Sequence, residues 1–95
     1  MYQINISKKA TKQLPKLTKS FQNSFLEEVE KIAENPSDGK PLKHKMKGYF
    51  SWRIGDYRIV YEIVHEQNSI NIIAVGHRKD IYEIIRRLLA ILFSI

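Results

Sequence analysis

Polar and apolar positions alternate with a period of two over much of the second half of the chain. Ser51-Trp52-Arg53-Ile54 alternates cleanly, as a half-buried strand does. Gly55-Asp56 then reads as a two-residue hairpin turn, since glycine accepts the positive φ needed at its first central position. Tyr57 to Val64 is rich in β-branched and aromatic residues and predicts the return strand. His65 to Ser69 is a polar turn. Ile70 to Val75 is apolar on both faces, which predicts a strand covered on both sides. Gly76 is expected to break it, with a helix from near Asp80.

The first half begins with another alternation, Tyr2 to Ile6, and so with another strand. The period then lengthens. Ser7 is placed to cap a helix from Lys8 that carries Ala10, Leu14 and Leu17 and that Pro15 should end or kink. Thr18 or Ser20 can cap a second helix running to about Asn35. Its Phe21, Phe25, Val29, Ile32 and Ala33 recur at helical spacing and predict one buried stripe. Glu27, Glu28, Glu30 and Glu34 are expected on its solvated side. Pro36 to Lys47 is a loop by composition, tucked onto the sheet by Leu42 and Met46. In the last helix Asp80 and Glu83 have capping-box spacing, and Ile81, Ile84, Ile85, Leu88 and Leu92 share a core face. The expected fold is α+β: an N-terminal strand, a helical hairpin, a three-stranded antiparallel meander completing one twisted sheet, and a C-terminal helix. It forms one domain over residues 1–95.

The hairpin carries a chemical signal. A two-residue turn at Gly55-Asp56 sets Arg53 opposite Arg58, both on the face away from Trp52, Ile54, Tyr57, Ile59 and Tyr61. Like charges directly opposite each other weaken a sheet. Either an anion such as phosphate sits between the guanidinium forks, or the arginines are solvated and held apart by twist or by Glu62. Nearby, Lys40, Lys43, Lys45 and Lys47 crowd the loop. Such a cluster can track a phosphate backbone, or simply keep a loop soluble.

Composition narrows the classes. The net charge is +6 over 95 residues, with an isoelectric point near 9.7, which favours polyanionic partners. There is no cysteine, so disulfide and thiolate chemistry are excluded. His44, His65 and His77 lack metal-ligand spacing, and no metal or other cofactor is expected. The apolar run Leu88 to Ile95 is too short to cross a bilayer, so no membrane is expected and the cytoplasm is the expected location. That run does need cover, from its own sheet, a symmetry mate or a partner. The remaining Arg/Lys/Tyr chemistry suits RNA cleavage, in which the 2′-hydroxyl attacks its own phosphate. Arginines stabilise the charge that develops there but are poor bases.

The run L-x-x-x-x-x-G-Y-x-x-W-R-I-G-D-Y-R-I-V-Y-E-I from Leu42 to Ile63, with V-G-H-R-K-D-I-Y from Val75 to Tyr82, resembles the RelE/ParE toxin superfamily of toxin–antitoxin modules. The RelE-like branch, whose members are mRNA interferases, is favoured. The resemblance implies a type II toxin that inhibits translation as a metal-independent, ribosome-dependent endoribonuclease. Such an enzyme cuts messenger RNA in the A site and leaves a 2′,3′-cyclic phosphate. Carried over by motif, the catalytic residues are Arg53, Arg58, Arg78 and Tyr82. Lys40, Lys43, Lys45, Lys47 and Arg86 are the expected RNA contacts. The family's first hairpin strand carries two lysines where this chain has Ser51 and Arg53. The base is therefore left open among Tyr82, Lys45 and Lys47, while His77 should alternate away from Arg78. The implied partners are a RelB-like antitoxin, which could cover the apolar terminus, together with the ribosome and mRNA. Two alternatives stand beside this: a ParE-type toxin that inhibits DNA gyrase by binding, and a catalytically degenerate toxin. Retention of Arg58, Arg78 and Tyr82 leans toward the nuclease.

Overall fold

A computed structural model describes residues 1–43 and 46–92. The elements follow in the order β1 (Gln3–Ile6), α1 (Lys8–Gln13), α2 (Lys19–Glu34), β2 (Lys40–Pro41), β3 (Tyr49–Ile54), β4 (Tyr57–Val64), β5 (Ser69–His77) and α3 (Arg78–Leu92). The five strands form one sheet in the order β1-β5-β4-β3-β2. β1 runs parallel to β5, and the other neighbours are antiparallel. The α+β architecture is the expected one.

Local chemistry sets the element ends. The Ser7 hydroxyl accepts from the Ala10 N–H at 3.0 Å, and Thr18 accepts from the Phe21 N–H at 3.3 Å. Each satisfies an amide that a helix start leaves unpaired. Pro15 lies in a 3-10 turn, Leu14–Lys16, that closes α1. Gly55 has φ +57°, the left-handed conformation that its hairpin turn demands.

The sheet buries both faces, unequally. On one face α1 and α2 lay Ala10, Phe21, Phe25, Val29 and Ile32 against Ile59, Tyr61, Ile63, Ile70, Ile72 and Val75, with Trp52, Ile54 and Tyr57 at the margin. On the other, Ile81 of α3 packs with Val60 and Ala74, bordered by Leu42, Ile73, Ile84 and Ile85. An irregularity after Val60 leaves Ile73 as an extra residue in β5, so Ile73 and Ala74 both serve this second cluster.

Four expectations are corrected. The loop from Pro36 contains a 3-10 turn, Pro36–Asp38, and the short edge strand β2; loop composition hid it, and Pro41 is tolerated because an edge strand needs fewer donors. Gly76 does not break β5, which continues to His77. It is buried, and a Cβ there would meet Ile84 at 3.4 Å and Ile81 at 3.6 Å, both ordinary contacts, so nothing at this glycine ends the strand. Asp80 does not cap α3, because the helix already begins at Arg78 and His77 Nδ1 accepts from the Lys79 N–H at 3.1 Å. Glu28 is half-buried rather than solvated and accepts from the Trp52 indole at 2.9 Å.

Candidate active site

The register at the hairpin is the expected one. Ile54 faces Tyr57, Arg53 faces Arg58, and Ser51 faces Val60. Arg58 in turn faces Gly76 across β5. The arginines therefore share the face on which α3 lies, but α3 covers the β4–β5 side of it. The β2–β3 side stays open as a groove of about 380 Å3, lined by Asp38, Gly39, Lys40, Ser51, Trp52, Arg53 and Arg58.

Among the described residues, three cations and one carboxylate line this groove. Like charges directly opposite each other across a strand pair repel, though less so in open water. The structure relieves this by tethering each guanidinium elsewhere. Arg58 Nη1 donates to Ser51 Oγ at 3.0 Å, and Arg53 Nε donates to the Gly55 carbonyl at 3.2 Å. Neither tether is an ion pair, so both charges stay available to an anion. Glu62, weighed as an alternative partner, instead accepts from Asn71 at 3.0 Å. Beside it, burial first and the Glu62 carboxylate second push the Tyr49 hydroxyl pKa above its ordinary value.

Lys40 enters the groove because β2 pairs it with Ser51. A latch holds that pairing. Tyr61 is fully buried and donates its hydroxyl to the Pro36 carbonyl. Gly39 lies so close to this hydroxyl that any Cβ would collide with it. Burial pushes the Tyr61 hydroxyl pKa up to about 12. Sequence reasoning placed Lys40 among the RNA contacts but missed Asp38 and Gly39. Only the β2 pairing brings them here, and a two-residue strand has no periodicity to read.

The other expected residues lie apart. Arg78 opens α3; its N–H donates to the Asp56 carbonyl at 2.7 Å, and its side chain reaches the Asp56 carboxylate at 3.8 Å. Both partners are exposed, and such a pair holds weakly. A cation in the first turn also opposes the helix dipole, so stability alone does not select Arg78. Tyr82 is 56% exposed, one turn further along. Neither lines the groove among the described residues. Lys43 and Lys47 are exposed outside it, and Lys45 lies outside the described residues, as does His44. Arg86 pairs with Glu83 at 3.2 Å. His77 packs edge-on to Tyr57, on the face away from the arginines.

Residues 4–82 match the family model described as the ParE toxin of the type II toxin–antitoxin system parDE. The chain belongs to the RelE/ParE toxin superfamily. Its relatives place it with the RelE-like branch. It is 48% identical over 44 residues to Toxin RelG of Mycobacterium tuberculosis, a match covering 46% of this chain and 51% of that protein. It is 32% identical over 83 residues to Toxin RelE of the same organism, covering 85% and 86% respectively. Among solved structures, the RelBE2 toxin–antitoxin complex of M. tuberculosis contains a chain 31% identical, with a TM-score of 0.74 over 80% of this chain and 96% of that one. Among the described residues, no helix is long and apolar enough to cross a membrane.

Proposed function

We propose that this protein is the toxin of a type II toxin–antitoxin module and acts as a ribosome-dependent mRNA endoribonuclease. In this reading the bound RNA presents one phosphate to the arginine groove. The 2′-hydroxyl attacks phosphorus, the 5′-oxygen leaves, and a 2′,3′-cyclic phosphate remains. Arg53 and Arg58 stabilise the charge gathering on the non-bridging oxygens, the task to which fixed bidentate donors are suited. Arg78 and Tyr82 stand one turn apart at the start of α3 and close on the RNA from beyond the hairpin tip. Lys43, Lys45, Lys47 and Arg86 hold the flanking backbone. The ribosome positions the codon, supplying the orientation that a small groove cannot impose alone. A RelB-like antitoxin is the cognate partner, and the site of action is the cytoplasm.

The observation that carries this reading is the tethered pair Arg53–Arg58 on an open face, neither paired with a carboxylate among the described residues. The test uses a defined mRNA on ribosomes stalled with an empty A site, with cut ends mapped by primer extension. Cleavage in the A-site codon is expected from the wild type and is lost in Arg58→Ala and Arg78→Ala. Intact RNA, from folded protein that still stops growth, refutes it. That result would move the gyrase-binding reading forward, which the ParE description of the matching family favours.

A further inference from the structure

We propose that Asp38 and Lys40 are the proton-transfer pair of the groove, Asp38 as the base for the attacking hydroxyl and Lys40 as the acid for the leaving oxygen. This rests on the nuclease reading above and settles a question that reading leaves open. RNA cleavage by internal attack needs a group to take one proton and a group to give one. Of the described side chains lining the groove, a set that does not include Tyr82 of α3, few can do either. The arginines do not give up a proton in proteins, and an indole is a donor that does not accept. The Trp52 indole is moreover bound to Glu28. The Ser51 hydroxyl is buried and holds Arg58. That leaves one carboxylate and one amine, Asp38 and Lys40. Both are exposed, and neither forms an ion pair among the described residues.

Their placement is fixed. Asp38 ends the 3-10 turn after α2, and Lys40 opens β2 beside Ser51. Between them Gly39 packs against the Tyr61 hydroxyl, so the segment cannot slide along β3 without breaking that fit. Residues two apart are separated by up to about 7 Å along the backbone, a span that brackets one phosphodiester. The pair comes from the β2 edge of the groove, and the arginines come from β3 and β4.

The step balances. The 2′-oxygen forms its bond to phosphorus as its proton passes to the Asp38 carboxylate. The bond from phosphorus to the 5′-oxygen breaks, and that oxygen takes a proton from the Lys40 ammonium. The products are a 2′,3′-cyclic phosphate and a 5′-hydroxyl. Asp38 is left protonated and Lys40 neutral, and exchange with water restores both.

The experiment compares wild type, Asp38→Asn, Asp38→Glu, Lys40→Arg and Arg58→Ala in the ribosome assay. It uses ordinary mRNA and mRNA with sulfur bridging the scissile linkage in place of the 5′-oxygen. A thiolate leaves without a proton, so sulfur bypasses the acid but not the base. On ordinary mRNA, Asp38→Asn and Lys40→Arg should each lose about 100-fold or more in single-turnover rate, the usual share of one acid or base. On the sulfur substrate Lys40→Arg should return to near the wild-type rate, while Asp38→Asn stays slow. Asp38→Glu should recover part of the loss. Lys40→Arg keeps the charge, so a lysine that only binds phosphate would show no loss. Thermal melts confirm that the variants fold. Wild-type cleavage with unchanged Asp38→Asn and Lys40→Arg would overturn this pair and leave the nuclease reading intact. Lys40→Arg slowed equally on both substrates would overturn the acid. Absence of wild-type cleavage would overturn both readings together.

Discussion

The latch between Gly39 and Tyr61 makes a prediction that can be worked through quantitatively. Gly39→Ala places a methyl against the Tyr61 hydroxyl, where there is no room. Forcing a methyl into a packed site costs about 1–3 kcal/mol. Tyr61→Phe removes the hydroxyl that donates to the Pro36 carbonyl. Pro36 is buried, so its carbonyl loses its partner, at a cost of about 1–3 kcal/mol. The two changes are not independent. With the hydroxyl gone, the new methyl occupies the space it vacated. The remaining neighbours, Tyr61 Cζ at 3.1 Å and the Ser51 carbonyl at 3.3 Å, need give only a few tenths of an ångström. The double variant should therefore cost about 1–2 kcal/mol less than the sum of the singles, a coupling well above the additivity expected of independent sites. Urea unfolding of the four proteins measures it. In melts, each kcal/mol corresponds to about 4–8 °C for a domain of this size. Costs that add within about 0.5 kcal/mol would refute the collision, and a neutral Gly39→Ala would refute the latch itself.

Other outcomes follow from single contacts. The Trp52 hydrogen bond holds the Glu28 carboxyl below its usual pKa, against the opposing effect of burial and with lesser help from Lys31. A carboxyl whose pKa is lower folded than unfolded contributes stability above the unfolded value and loses it as pH falls through the folded one. Glu28→Gln should thus be less stable than wild type at pH 7, with the difference fading below about pH 4 in acid-titrated melts. For Tyr61, whose folded value is raised to about 12, the sign reverses: stability should fall as pH climbs from about 10 to 12, and Tyr61→Phe should blunt that fall in alkaline unfolding followed by circular dichroism. Ser51→Ala frees Arg58 from its 3.0 Å partner and should cost about 1 kcal/mol, with weaker RNA cleavage in the same preparation. Gly76→Ala meets only ordinary contacts with Ile81 and Ile84, so its melting temperature should stay within a few degrees of wild type.

What the sequence disclosed followed the range of each interaction. The hairpin register was legible because a two-residue turn determines which residues face each other, and Arg53 met Arg58 as that rule requires. The α2 stripe from Phe21 to Ala33 was legible because a buried helix face repeats every three to four residues. Caps at Ser7 and Thr18 act within three residues and could be read. The cap on α3 could not, because His77 is an uncommon capping residue and Asp80 offered a better-known pattern. β2 was hidden for a different reason. Two residues have no period, and their strand character comes only from Ser51 and Phe50 across the sheet. The groove inherits that blindness: Arg53 and Arg58 were found by local pairing, while Asp38 and Gly39 arrive through a contact spanning the chain.

The groove exists because the sheet is wider than the helix that covers its second face. α3 packs Ile81 on Val60 and Ala74, in the β4–β5 half. Beyond Leu42, the β2–β3 side of that face is open and is lined mainly by polar and charged residues among the described ones. Where α3 stops covering, the residues in register change from Ala74 and Val60 to Ser51 and Lys40 along one row. In the next row they change from Gly76 to Arg58 and Arg53. The first row thus runs from core to charge over four strands and the second over three. Arg58 stands at the boundary, half-buried, with its guanidinium fixed by the buried Ser51 hydroxyl. A cation held by a neutral hydroxyl at such an edge keeps its full charge for a ligand, and it also loses less rotamer freedom when the ligand arrives. Changing Ser51 to a second cation would remove that tether and restore the repulsion, so the serine on the first hairpin strand is a working part of the groove rather than a gap in it.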